Sequence, residues 1–456
     1  MWFPMPGMIV EVEKIGRAKI VKLIGNKALI SVDALNGRQI EWEIDKMCPV
    51  NEIKQLPNAT KLRERENNNI LHRNRNNDIL KIRTIESLRF GLVPEHHIEE
   101  LTLGFDELKA WANETFRRCL SGNPCGFEIS GPYGTGKSHT LSLIRYLARK
   151  QGFLTARVEV DGRNVSLSNS ASLLNSLWST LADNGLDAEN PLVDLYIRAI
   201  NRGNIPTKII TPGFDRIRNN LITIYTLMRT GNIDKYAQNV ESVISCSDQI
   251  TATQAVKKIC SEHNINRSQI MLKAMVSKAI KQRGLDLVES IAGHAALARL
   301  AGFKGLIVTI DEFEVEYTDK KNITRVEDIL YSINQYLNGK TIYYGAPLGI
   351  YIATVDQAGH KGDPLIHNYI ATDSKNRYRL KIWNRDQRIR LAERIHKMYC
   401  EVYKLNSSFD KNLATAVEGL LARKIESNDS GLIRAFIKWY VGFLDIKYGP
   451  PRGKTV

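Results

Sequence analysis

The sequence predicts an α/β fold: a parallel sheet with helices on both faces, carrying a large helical insertion and a helical C-terminal segment, and preceded by a small all-β unit. Three observations carry this. Residues 127–130, 305–310 and 348–353 are short apolar runs of the kind that a parallel sheet buried on both faces requires. Segments of helical period separate them. Residues 8–44 instead alternate apolar and polar positions, with Gly25-Asn26 and Asn36-Gly37 at hairpin-turn positions.

At 456 residues the chain is long enough for several units, roughly 100 to 200 residues each. Apolar residues make up 43 % and charged residues 25 %, the mix of a globular protein. The unusual number is the charge. Sixty-four Lys and Arg against 49 Asp and Glu leave +15, a surplus that points to a polyanionic partner or site. Residues 1–10 lack the basic and apolar regions of an export signal, and no run approaches the length of a bilayer span. A cytoplasmic location without a membrane partner is expected. Cys48, Cys119, Cys125, Cys246, Cys260 and Cys400 form no C-x-x-C pair and none sits at zinc-finger spacing from a histidine, so they read as reduced thiols.

Residues 1–57 read as four or five short strands, with Ile40, Trp42 and Ile44 sharing one face. A closed SH3-like barrel is the economical arrangement, because an open sheet of this size leaves too much edge. Such a barrel resembles Tudor and KOW modules. With eight Lys or Arg against seven Asp or Glu, residues 1–57 do not carry the basic surplus. Residues 58–78 are polar, basic and Asn-rich and read as a linker. Helical patterns follow at 79–90 and 105–120.

Residues 131–138, GPYGTGKS, come directly after the run at 127–130 and before a helical run over 140–148. This is G-x-x-x-x-G-K-[ST] between a strand and a helix, the context of a phosphate-binding loop. Gly131, Pro132, Tyr133, Gly134, Thr135, Gly136, Lys137, Ser138 and His139 are the candidate nucleotide-binding residues. Glycines let backbone N–H groups turn inward around phosphates, Lys137 offers a point charge to the β and γ phosphates, and the Ser138 hydroxyl ligates Mg²⁺. ATP and Mg²⁺ are the expected cofactors.

The run at 305–310 closes in Asp311-Glu312, with Glu314 two residues on. Asp311 would hold Mg²⁺ through water, and Glu312 would orient or deprotonate the attacking water. The run at 348–353 ends in Thr354, which would sense the γ-phosphate and position water, with Asp356 behind it; the plain alternative is a threonine that caps a strand end. With a further strand over 153–160, the chain order is strand, phosphate loop, helix, strand, acid strand, polar-tipped strand. That is the order of the additional-strand P-loop ATPases, AAA+ proteins among them.

The insertion, about 163–300, has helical period at 172–178, 192–200, 214–228 and 270–280. Residues 264–283 hold five basic side chains (Arg267, Lys273, Lys278, Lys281, Arg283) and no acid, either a solvated helix face or a nucleic-acid or partner surface. The last core strand is expected near 378–382, and helices run on as a lid. Nine Lys or Arg face two acids in residues 375–397. Arg377 stands where an AAA+ arginine finger would reach a neighbour's γ-phosphate, with Arg379 as the alternative. Arg434 stands where a lid arginine would contact nucleotide in its own subunit. The expected units are therefore 1–57, the linker 58–78, the ATPase core 79–382 and the lid 383–456.

Residues 82–94, 131–139 and 301–314, reading IRTIESLRFGLVP, GPYGTGKSH and AGFKGLIVTIDEFE, resemble the ATP-binding proteins of BREX phage-defence systems, the BrxD type. The resemblance covers residues 80 to 445 or so and implies an oligomeric ATPase of a prokaryotic defence system. It also implies action on DNA, double-stranded by expectation, together with other defence proteins. A slow nucleotide-gated assembly switch and a transposition or replication loader are the alternatives. Neither a nuclease nor a methyltransferase signature is present.

Overall fold

The computed structural model describes the strands within residues 9–49, and residues 73–449 except 203–213, 247–250, 264–269, 274, 276–282, 318–319, 344, 357–360 and 426–431. Strands β1 (Ile9–Val12), β2 (Gly16–Ile24), β3 (Lys27–Val32), β4 (Arg38–Glu43) and β5 (Met47–Pro49) pair antiparallel in the order β4-β3-β2-β1-β5. In the register of β3 and β4, Ile30 pairs with Ile40 and Ala28 with Trp42. The two turn pairs, Ile44 and the linker through residue 72 lie outside the described residues.

The main sheet holds β6 (Cys125–Gly131), β7 (Leu154–Glu159), β8 (Leu306–Asp311), β9 (Leu348–Val355) and β10 (Arg377–Arg379), all parallel, in the order β10-β6-β9-β8-β7. The helices before and beside the phosphate loop are α1 (Arg73–Phe90), α2 (Ile98–Leu101), α3 (Phe105–Leu120) and α4 (Lys137–Lys150). The insertion supplies α5 (Ser170–Ser179), α6 (Pro191–Asn201), α7 (Asp215–Arg229), α8 (Ile233–Ile244), α9 (Thr251–His263) and α10 (Arg283–Leu300). After β8 come α11 (Lys320–Leu337), α12 (Pro364–Tyr369), α13 (Arg385–Tyr403), α14 (Lys411–Ile425) and α15 (Leu432–Tyr448). No helix among the described residues is long and apolar enough to cross a membrane.

Strand alternation builds two cores on the two faces. Phe127, Ile129, Ile307, Tyr351 and Ala353 pack with α3 and α4, while Leu306, Val308, Ile310, Leu348, Ile350 and Ile352 face the insertion side. Phe127 and Tyr351 stack at 4.6 Å between ring centroids. A Cβ on Gly126 would come within 2.5 Å of Ile370, so only glycine lets that segment approach β6.

Two expectations change. Residues 270–273 are not helical: Ile270 and Leu272 are buried, Met271 and Lys273 are exposed, and the alternation has a period of two. Side chains of α7 supply the reason. The Met271 N–H donates to Thr223 Oγ1 at 2.9 Å and the Lys273 N–H to Asn220 Oδ1 at 2.8 Å, which satisfies the backbone without helical bonds. Of the basic residues there, Arg267, Lys278 and Lys281 lie outside the described residues. The second change concerns α1, which starts at Arg73, inside the expected linker. Its Ile85 and Leu88 pack with Leu391, Ile395, Val417, Phe436 and Tyr440, so this N-terminal helix shares a core with the C-terminal helices.

The insertion core encloses His294, fully buried, with the Trp178 ring 4.5 Å away and Nδ1 donating to the Ser290 carbonyl at 2.7 Å. Burial pushes its pKa from 6.5 down to about 4. The unfolded chain therefore binds a proton that the folded chain refuses. The stability contributed by neutral His294 is present above pH 6.5 and is lost as pH falls from there to about 4. Urea unfolding across that window should show a midpoint that drops with acid in the native chain and drops less in His294→Phe; equal slopes refute the assignment.

Candidate functional site

The C-terminal ends of the five strands meet on one edge of the sheet. Gly131 pairs with Val355, Ser130 with Thr354 and with Arg379, and Glu159 with Asp311, which follows the Ile310–Ile352 pair. The loop 131–138 therefore leaves β6 at the level where β8 ends in its acid pair. Gly134 and Gly136 have φ of 73° and 92°, conformations that favour glycine, and Gly136 opens α4. A Cβ on Gly131 would meet Thr135 Oγ1 at 2.9 Å and the Leu380 carbonyl at 3.1 Å. The turn is closed by Thr135, whose hydroxyl donates to the Pro132 carbonyl at 2.8 Å.

Lys137 is buried, its Nζ 3.5 Å from the Gly131 carbonyl and 5.0 Å from the centre of the half-exposed Tyr133 ring. Burial first, then the charges of Glu314 and Glu312, raise the Tyr133 phenol. Glu312 adopts a left-handed φ of 56°, unusual for a non-glycine residue and costing about 1 kcal/mol, and its N–H donates to Asp311 Oδ1 at 3.0 Å. Burial first, then Glu314, Asp311 and Glu159, raise the Glu312 carboxyl, with Lys137 opposing. Burial also raises Glu314. Ser138 and Asp311 offer one hydroxyl and one carboxylate, a donor set that suits Mg²⁺, which keeps waters and takes phosphate oxygens rather than an all-protein cage. Among the described residues no group of three or more His, Cys, Asp or Glu could hold a metal unaided.

A cavity of about 320 Å³ opens between the loop and the lid helices. Gly134 to Thr140 and Glu312 line its polar end; Leu92, Val93, Leu101, Leu103, Trp383, Leu391, Ile433 and Ile437 line an apolar one, and Arg434 borders it from α15. A charged triphosphate and a flat apolar base fit these two ends respectively. Leu88 of α1 joins them, and the others come from the loop after α1, from α2 and the residues beyond it, from α13 and the turn before it, and from α15, so this wall combines segments far apart along the chain. His139, in the first turn of α4, meets Thr102 of that wall, with Nε2 2.8 Å from Oγ1. Burial lowers its pKa to about 4.

The remaining expected residues are turned elsewhere. Thr354 is fully buried, and its hydroxyl donates to Glu128 Oε1 at 2.7 Å. Arg377 is spent on its own segment, donating to the carbonyls of Ala371 at 2.7 Å and Thr372 at 3.0 Å. Arg379 pairs with Asp356 at 2.7 Å, and Asp356 also accepts from the Gly362 N–H at 3.1 Å. Glu128 escapes sequence reasoning. Fully buried within β6, it accepts from Thr354, from the Asp363 N–H at 2.8 Å and from His367 Nε2 at 2.6 Å. A lone charge inside an apolar strand was the available signal, because such a group is kept only when its lone pairs are taken. Arg145 of α4 is also missed: buried, it donates to Thr309 Oγ1 of β8 at 2.9 Å and to Ser142 Oγ at 2.6 Å.

Residues 79–452 match the family described as BREX system ATP-binding protein BrxC/D. No curated protein matches the chain. The matched segment takes in the phosphate loop, the acid strand and the lid, more than half of the sequence. The chain belongs to the BREX system ATP-binding protein BrxC/D family.

Proposed function

We propose that this protein is an AAA+-like, Mg²⁺-dependent ATPase that couples its nucleotide state to DNA engagement and to recruitment of other BREX proteins. The observation that carries the proposal is the sheet order: one strand, β9, separates the phosphate-loop strand β6 from the acid strand β8. ATP would lie with its phosphates on the N–H groups of 132–138 and its base in the apolar end of the cavity. Lys137 would leave the Gly131 carbonyl for the β and γ phosphates, and Ser138 and Asp311 would hold the metal, directly and through water. Bound Mg²⁺ would neutralise charge that develops on the phosphates. Glu312, whose carboxyl is raised by its surroundings, would take a proton from the attacking water. Arg434 borders the same cavity and would reach the phosphates from the lid. Thr354 and Arg377 take part in turnover only if nucleotide or a neighbouring subunit draws them from Glu128 and from the 371–372 carbonyls.

Arg377, Arg379, Arg388 and Arg394 of the 375–397 segment are held by intramolecular bonds, Arg388 to Glu418 and Arg394 to the Thr102 carbonyl. Lys375, Lys381, Arg385, Arg390 and Lys397 are exposed. Double-stranded DNA is the polyanion we assign to them, in a cytoplasmic homo-oligomer.

Lys137→Ala should weaken ATP binding at least about tenfold, and Glu312→Gln should retain ATP while turnover falls about 100-fold or more. Equilibrium binding and phosphate release measure the two effects; a Glu312→Gln protein that hydrolyses at the native rate removes Glu312 from the mechanism. Replacing Lys381, Arg385 and Arg390 together with alanine should lower affinity for duplex DNA and flatten its salt dependence by about 0.9 per lost phosphate contact. Basal hydrolysis should be unchanged. Native DNA affinity in that variant would assign the surplus to protein partners or solubility. A low hydrolysis rate that DNA fails to stimulate, with ATP-dependent assembly, would favour the slow switch.

A further inference from the structure

One loop grips both ends of the segment that carries Glu312. Directly after β7, the Val160 N–H donates to the Asp311 carbonyl at 3.2 Å. Further along the loop, the Ser166 hydroxyl donates to Glu316 Oε2 at 2.8 Å and the Leu167 N–H to Glu316 Oε1 at 2.6 Å. Between these two grips the loop is closed on itself. Asp161 Oδ1 accepts from the Arg163 and Val165 N–H groups, both at 2.8 Å, and the Asp161 N–H donates to the Val165 carbonyl at 2.9 Å. Ser166 is held in turn, its oxygen accepting from the Ser168 N–H at 3.1 Å. Residues 311–316 are thus spanned by a loop whose own bonds fix its shape, with Glu312 and Glu314 between the two grips.

Glu312 is the residue that needs such a frame. Its left-handed φ of 56° persists only where the surroundings over-determine the backbone. Next to it, the Val315 N–H donates to the Glu312 carbonyl at 3.1 Å in the 3₁₀ turn Phe313–Tyr317, and Phe313 is fully buried. Glu316 lies in the same turn and is only 2 % exposed. A carboxylate is kept in the interior where its lone pairs are taken, so the two donors from the loop hold it in one place. We propose that Glu316 is a positioning residue for hydrolysis: anchored to Ser166 and Leu167, it holds the turn after Glu312 and so sets where the Glu312 carboxylate stands relative to the attacking water. The inference rests on the proposed role of Glu312 and adds the contact that fixes it. The anchoring loop runs straight into α5, whose N-cap is Asn169, so the helical insertion begins as part of the catalytic frame.

Single-turnover hydrolysis of ATP with Mg²⁺ by the full chain, with ATP affinity measured separately at equilibrium, tests this. Glu316→Ala should slow hydrolysis about 10- to 100-fold while ATP affinity stays within about twofold, because a displaced base costs rate and not binding. Glu316→Gln still offers an oxygen to the Leu167 N–H and an amide to the Ser166 oxygen, and should recover to within about threefold of the native rate. On a Glu312→Gln background, Glu316→Ala should cause no further loss, since residues that act as a unit are not additive. If Glu316→Ala does not fold, Ser166→Ala removes one donor from outside the 311–316 segment and should slow hydrolysis about threefold or more at unchanged affinity. A native rate in Glu316→Ala, or in Ser166→Ala where only that variant folds, overturns the inference. So does an equal loss of rate and affinity, a Glu316→Gln protein as slow as Glu316→Ala, or a full further loss on top of Glu312→Gln. A native rate in Glu312→Gln, or full ATP binding by Lys137→Ala, would instead refute the proposed base or the nucleotide site itself.

Discussion

Because β9 bonds to β6 along one side and to β8 along the other, the phosphate loop and the acid pair are held two strand spacings apart, roughly 10 Å. No direct contact between them is needed. The parallel register does the work: Gly131 pairs with Val355, and Asp311 follows the Ile310–Ile352 pair, so both ends reach the edge at one level. Under the proposed function, phosphates and a hydrated metal would occupy that gap. Everything that secures β9, including the Phe127–Tyr351 stack and the bond between the Tyr351 and Thr115 hydroxyls, also secures that gap.

Charge is distributed unevenly across this frame. Asp311, Glu312 and Glu314 crowd the end of β8 beside Glu159, and Lys137 is the cation that opposes them. Burial and mutual repulsion raise the Glu312 carboxyl, which brings a carboxylate closer to the proton affinity useful in a base. On the face below, Arg145 is pushed down to about 10 by burial and bonds to Thr309, two residues before Asp311. The polar chemistry of the site is thus continuous with a buried layer beneath it. Glu128, with its three donors, ties the 354–367 segment to the strand that launches the phosphate loop.

Short-range patterns were the legible ones. The run GPYGTGKS with its flanking strand and helix, and the apolar run ending in Asp311-Glu312, both need only neighbouring residues to be recognised. Residues 270–273 show where such patterns mislead. Their backbone bonds go to Asn220 and Thr223 of another helix, and nothing local announces partners some fifty residues away. Glu128 looked like one acid in a strand because Thr354, Asp363 and His367 lie more than 200 residues along the chain. The +15 charge proved equally non-local: in residues 375–397, four of nine basic side chains are consumed by internal bonds.

By itself, then, the sequence determined the loop, the acid strand and the α/β class, since glycine conformation, helix starts and buried-strand composition are properties of adjacent residues. Tertiary structure decided the cavity wall, where α1 joins helices from the far end of the chain, and the directions in which Thr354, Arg377 and His139 point. A side chain's orientation follows from whichever donor or acceptor packing brings within about 3 Å, and that distance is set by the fold rather than by spacing along the chain.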